Sequence, residues 1–108
     1  MTQLYIQVYT SLVRFSWDHR KSAENLRTRG FDFEFATLIF EGPTLERHDV
    51  RRDYGEPRVV AIGFAQGIPL TVVYTDRVET GATVRRIISA RVSSRHEREA
   101  YLQAISRT

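Results

Sequence analysis

The spacing of hydrophobic positions changes several times along the chain, and each change marks an element. LYIQVY, residues 4–9, alternates apolar and polar positions and predicts a strand. Leu12 to Trp17 is a second extended candidate. After Asp18 the period lengthens. Asp18 caps a helix over about His19–Arg29, and Gly30 is placed to end it. FDFEFATLIF, residues 31–40, fits two templates. Phe31, Phe33 and Phe35 alternate as in a strand, whereas Phe33, Ala36 and Phe40 fall on one helical face. With Asp32 as a cap directly after a helix end, the helix is preferred. Residues 42–57 are rich in Gly, Pro, Asp and Arg and read as a long connection with room for one short strand. Three strands follow, Arg58–Ala65, Leu70–Arg77 and Thr83–Val92. Turns at Gln66–Gly67 and Thr80–Gly81 join them into an antiparallel meander. Ser94 and Glu97 have capping-box spacing, so a last helix starts near Arg95, with Ala100, Tyr101, Leu102 and Ile105 as its apolar face.

These elements make an α+β fold. A small antiparallel sheet, built from the C-terminal three-strand meander plus an N-terminal strand, packs with two N-terminal helices and a C-terminal helix. A length of 108 residues suits one domain over 1–108. The chain has no cysteine, so it has no disulfide framework, thiolate zinc site or thiol nucleophile. No apolar stretch is long enough to span a bilayer, and MTQLYIQVYTSL lacks the pattern of a signal peptide, so a cytoplasmic protein is expected.

Charge changes the picture more than composition does. Residues 1–57 sum to −1 and residues 58–108 to +4. Fifteen of the sixteen basic side chains are arginine, which makes planar, bidentate contacts with phosphate and carboxylate. A basic half points to an anionic partner, either nucleic acid or an acidic protein. If the hairpins turn at residues 67 and 80–81, Arg58 lies opposite Asp76 or Arg77, and Arg77 opposite Val84 or Arg85. Arg58, Arg77, Arg85 and Arg86 then gather at one end of the sheet and Arg91 lies at the other. Strand alternation puts Arg86 and Arg91, five apart, on opposite faces unless a bulge intervenes, which gives two positive sites rather than one stripe.

FSWDHRKSAENLRTRGFDFEFA, EPRVVAIG, VVYTDR and RIISARVSSRHEREAY resemble, in that order, the BrnT family of type II toxins over about residues 13–101. Trp17–Asp18, Lys21, Asn25, Gly30 and Phe33 match its first block. Glu56 and Arg58 match an E-x-R pair, Thr75–Asp76–Arg77 a T-[ED]-R, and Arg86 to Arg91 with Glu97 and Tyr101 its last block. The resemblance implies a compact RelE-like fold and a metal-independent endoribonuclease activity that needs no cofactor. It also implies a cognate antitoxin with a ribbon-helix-helix DNA-binding domain, through which the complex contacts operator DNA. The chain departs from the pattern in two places. Thr28–Arg29–Gly30 stands where the family often has K-H-G, and Arg52–Asp53 where it often has His-Ser. A proton route through either histidine is closed here.

Metal-independent RNA cleavage uses the adjacent 2′-hydroxyl as nucleophile. It needs a base on that hydroxyl, positive charge on the phosphate and an acid on the leaving oxygen. Arg58, Arg77, Arg86, Arg91 and Lys21 are the candidates for phosphate, with surface charge or salt bridges between sheet and helix as the structural alternative. Glu56 is the candidate base, or else the partner that holds Arg58. Tyr74 could donate a hydrogen bond, although a strand tyrosine is usually packing. His48 and His96 are weaker candidates, Glu97 reads first as a helix cap, and Trp17 as core. The three histidines lack metal-ligand spacing, and the chain has no G-x-S-x-G or phosphate-binding glycine loop. Two other readings remain open: a non-catalytic module binding RNA or antitoxin, and an inactive relic kept for promoter regulation.

Overall fold

The computed structural model describes residues 3–8 and 13–107. Two short strands open the chain, β1 (Leu4–Gln7) and β2 (Arg14–Trp17). Helix α1 (His19–Arg29) follows, then α2 (Phe33–Ala36), which continues as a 3-10 turn over Thr37–Glu41. The remaining strands are β3 (Thr44–His48), β4 (Val59–Ala65), β5 (Ile68–Glu79) and β6 (Ala82–Val92), and α3 (Arg95–Ser106) closes the order. Tyr9 and Leu12, expected at strand ends, lie outside the described residues.

The capping signals work as expected. Asp18 accepts the N–H groups of Arg20 and Lys21, and Gly30 ends α1 at a φ of 86°. Asp32 accepts the Phe35 N–H. Ser94 and Glu97 form a reciprocal capping box. Both hairpins are two-residue turns at the expected dipeptides. Gln66–Gly67 and Thr80–Gly81 take positive φ at both residues, the geometry whose twist matches paired strands.

The sheet is larger than expected, and it is mixed. Its order is β1-β3-β4-β5-β6-β2, with β2 running parallel to β6 and every other pair antiparallel. The small four-strand antiparallel sheet is therefore corrected to six strands. The short strand allowed for within the connection over 42–57 is β3, and it joins the main sheet. Its sequence, TLERH, carries charge where a strand signal needs apolar alternation, yet Thr44, Leu45 and Glu46 are all buried.

Residues directly across a ladder share a face. On one face Val59, Ala61, Leu70, Val72, Tyr74, Ile87 and Ala90 meet Phe33, Ala36, Ile39 and Phe40 from α2 and the turn. Gly63 lets that turn approach, since a Cβ there would sit 3.0 Å from Ile39 Cβ. On the other face α3 packs over β3 and β4 through Leu45, Ile62 and Tyr101, with Ile6, Phe64, Ala100, Ala104 and Ile105 around them. Leu102, expected on the buried side of α3, is half exposed; Ala104 is the residue that packs inward.

Candidate nucleic-acid interface

The register places the arginines. The β4–β5 ladder starts at Val59↔Tyr74, so Arg58 lies beside Thr75, not opposite Asp76 or Arg77. Arg77 faces Val84, as expected. Between Val73↔Ser89 and Tyr74↔Ile87 the ladder skips Ile88, a β-bulge. The bulge overturns the expectation of two sites. Thr75↔Arg86, Val73↔Ser89 and Thr71↔Arg91 lie on one face, because β5 itself alternates without interruption. Arg77, Arg86, Ser89 and Arg91 thus form one row on the sheet face that carries α3. Ile87 and Ala90 turn the other way into the core. Arg77 and Arg86 are diagonal neighbours, about 7–8 Å apart at Cα. Arg91 stands about 13 Å along the row from Arg86.

Asp76 serves the opposite face. Its carboxylate accepts from Arg85 Nε and Nη2, both at 2.8 Å. Arg85 is buried, with its guanidinium 3.9 Å from the Tyr74 ring centroid and 4.8 Å from that of Phe40. The acid of the T-D-R motif therefore locks β5 to β6 where Arg77 and Arg86 emerge on the other side. Tyr74 also belongs to the opposite face, and its hydroxyl donates to the buried Glu46 at 2.5 Å. It does not join the arginine row.

The end of the loop 49–58 is tied to the row's face, where Thr75 donates to Pro57 O at 2.6 Å. Within the loop Arg51 grips the buried Asp49 with two bonds of 2.9 Å, and Tyr54 OH donates to the same carboxylate at 3.1 Å. The hydrogen-bonded Arg51 pulls the Asp49 carboxyl down to about 2. Arg58 lies over the Tyr54 ring, 4.0 Å from its centroid, and its Nε reaches Glu56 at 3.4 Å. Arg52, in the stretch where the family often has His-Ser, lies 5.0 Å from the same ring. Sequence reading missed Tyr54, whose only signal was an aromatic residue between arginines.

Lys21 joins through α1. The Asp18 carboxyl is held low by the Lys21 and Arg20 backbone N–H groups and, more weakly, by the charges of Lys21 and Arg86. A cleft of about 580 Å³ separates α1 from β6, with Lys21, Asn25 and Arg29 on its helical side and Ile88 and Ser89 on the strand side. Ser89 belongs to both the cleft and the row. Arg29, in the position where the family often has histidine, donates to Ala90 O at 2.8 Å and so clips α1 to the strand.

Among the described residues, the side chains of Lys21, Arg77 and Arg86 make no hydrogen bond or ion pair. Arg91 differs. It forms a bidentate pair with Glu97 at 2.7 and 2.8 Å, tying β6 to α3. That pair, above all, pulls the Glu97 carboxyl to about 2. The histidines stand apart from the row. His48 lies against Tyr5, with ring centroids 5.7 Å apart, His19 against Trp17 at 6.3 Å, and His96 is exposed on α3.

The model of one family, the ribonuclease toxin BrnT of type II toxin–antitoxin systems, matches residues 17–97. The chain belongs to the BrnT family. Comparison with curated proteins gives no match. The BrnT match contains the row, the loop 49–58, α1 and the cap of α3. It leaves out β1, nearly all of β2 and most of α3. No helix of the described residues is long and apolar enough to cross a membrane.

Proposed function

We propose that this BrnT chain is a metal-independent endoribonuclease that cuts RNA and so inhibits translation. The whole chain acts as one RelE-like toxin domain in the cytoplasm, and an antitoxin with a ribbon-helix-helix domain silences it and carries operator binding. The observation that carries the reading is the open row. Arg77 and Arg86 stand side by side on one face, Lys21 and Arg86 both act on the Asp18 carboxyl, and no acid is bonded to any of the three among the described residues. A phosphodiester is the ligand such a cluster of fixed cations suits.

In this reading Arg77 and Arg86 hold the scissile phosphate and stabilise charge as it builds on the phosphoryl oxygens. The 2′-oxygen attacks phosphorus and the bond to the 5′-oxygen breaks, leaving a 2′,3′-cyclic phosphate and a 5′-hydroxyl. Glu56 takes the 2′-proton, a solvent water gives a proton to the departing 5′-oxygen, and Arg58, set by the Tyr54 ring, keeps the Glu56 carboxylate beside the phosphate. Lys21 lines the path of the flanking strand. Arg91, neutralised by Glu97, supports the far end of the row.

The test is cleavage of a short RNA by pure protein in chelator. Wild type should cut. Arg77→Ala and Arg86→Ala should each lose about 100- to 1000-fold in rate, the range seen when one transition-state donor is removed, with unchanged melting. Cleavage that survives both substitutions sinks the assignment. A second reading, a non-catalytic module that binds RNA or antitoxin in promoter autoregulation, is favoured by Arg29 and Arg52 standing where the family often has histidine. RNA binding by the wild-type protein without any cleavage would select it.

A further inference from the structure

Away from the arginine row, one edge of the sheet is open in a way that folding does not explain. β1 pairs with β3 on its inner side, and among the described residues nothing pairs with its outer side. Edge strands are normally guarded by charge, proline or a bulge, because an open row of backbone N–H and C=O groups invites another chain. β1 has no such guard. Residues 1–13 contain no charged side chain and no proline, in a chain that is 27% charged. Leu4 and Val8 are 49% and 63% exposed. Beside the strand runs a groove of about 510 Å³ between β1 and α3, lined chiefly by Leu4, Ile6, Leu45, Ala100 and Ala104, with Arg107 at its side. Leu4 pairs with Arg47, so a second cation shares the groove's face.

We propose that an extended acidic segment of the antitoxin docks on this edge. It adds a seventh strand against β1, drops alternate apolar side chains into the groove and sets carboxylates against Arg47 and Arg107. The inference rests on reading the chain as a toxin with a protein antitoxin, and it names where that partner is held. In such strand addition the main-chain bonds supply affinity and the side-chain pocket supplies selectivity.

Two observations select this occupant over a second copy of the chain. Twofold pairing of β1 with itself would bring two Arg47 and two Arg107 to one junction, and neither residues 1–13 nor residues 100–108 contain an acid to offset them. The groove is also built largely from β1 and the second half of α3, which lie outside the family match at residues 17–97. Those parts lie outside the matched stretch, so the shared family pattern does not account for them. α3 packs on β3 and β4, between the groove and the strands that carry the row. Docking at β1 therefore leaves Arg77 and Arg86 to be covered by another part of the same antitoxin.

Binding of the purified cognate antitoxin to full-length toxin tests the proposal by calorimetry and amide hydrogen exchange. Leu4→Lys and Ala104→Glu should each weaken binding at least tenfold. Leu102→Lys, an exposed change on α3 away from the groove lining, should not. Exchange at Leu4–Gln7 should slow in the complex. None of these residues belongs to the RNA site, so the variants should cleave RNA as wild type does, which also reports that they fold. Wild-type affinity in both groove variants, with unchanged exchange at Leu4–Gln7, overturns the proposal. So does a free toxin that sediments as a dimer and becomes monomeric on Leu4→Lys, because the occupant is then a second copy. A wild-type protein that fails to cut RNA, yet loses antitoxin affinity on Leu4→Lys, removes the proposed catalysis and upholds the docking edge.

Discussion

Arg85 and Arg86 are neighbours in sequence and do opposite work. Arg86 stands on the row's face, close enough to Asp18 to lower its carboxyl. Arg85 is buried on the helix face, doubly bonded to Asp76 and flanked by two aromatic rings. Breaking a buried ion pair leaves an uncompensated charge and costs about 3–5 kcal/mol. Asp76 is 37% exposed at its side chain, so water offsets part of that cost. Asp76→Asn should therefore destabilise the fold by about 2 kcal/mol in urea melts. RNA affinity should drop as well, although Asp76 touches no RNA in this reading, because the β5–β6 register at Arg77 and Arg86 loosens. Asp76→Glu, the alternative within the T-[ED]-R pattern, should restore both. An Asn variant as stable and as tight-binding as wild type would show that Asp76 does not set the row.

At the scale of the element, the bulge in β6 decides where the chemistry faces. Arg91 lies five positions after Arg86, an odd spacing that regular alternation sends to opposite sides. The unpaired Ile88 absorbs one residue and returns both to one side. Deleting Ile88 should leave a regular ladder, with Ile87 still opposite Tyr74 and Ser89 opposite Val73. The protein should still fold and still bind RNA through Arg77 and Arg86. Its cleft against α1 should change, because Ile88 lines it. Protection of the β5 and β6 amides in hydrogen exchange checks the ladder. A deletion variant that unfolds would mean the bulge is required for closing α1 on the sheet, not only for facing the arginines.

For the whole molecule, two consequences of its charge can be measured. The carboxyls of Asp49 and Glu97 are both drawn down to about 2, by Arg51 and Arg91 respectively. A carboxyl with a lower pKa folded than unfolded binds fewer protons in the folded state. Its stabilisation is complete above about pH 4.5 and disappears as pH falls towards 2. Urea midpoints should accordingly drop across that window, with Glu97 contributing about 1–2 kcal/mol after screening by solvent. Glu97→Gln should flatten its share, and an unchanged acid limb in that variant would remove the Arg91 pair from the account. The second consequence is salt dependence. Three phosphate contacts from Arg77, Arg86 and Lys21 give a log–log slope of about −2 with single-stranded RNA, since each contact contributes about −0.7. A flat dependence across salt titrations would deny the row its role as a phosphate surface.

The caps at Asp18, Asp32 and Ser94, the helix end at Gly30 and both hairpin turns were legible in the sequence. Each depends on residues within four positions of one another, where local hydrogen bonding and allowed φ outweigh distant packing. So were the helical face of Phe33, Ala36 and Phe40, the pairing of Arg77 with Val84, and the family, whose motifs run through the matched stretch. What escaped depends on partners far along the chain. β3 is an inner strand of the main sheet because Tyr74 and Thr44 hydrogen-bond Glu46 at its centre, which lets a charged residue sit in a sheet interior. β2 is the far edge because it pairs in parallel with β6. The single face of Arg86 and Arg91 depends on one skipped residue, which no alternation count reveals. The sequence by itself determined which residues are cations and where the capped helices begin and the two hairpins turn. Only the tertiary structure decided which cations share a face and which are neutralised, because a strand's orientation is fixed by the ladder across it, and that partner lies outside the range of local preference.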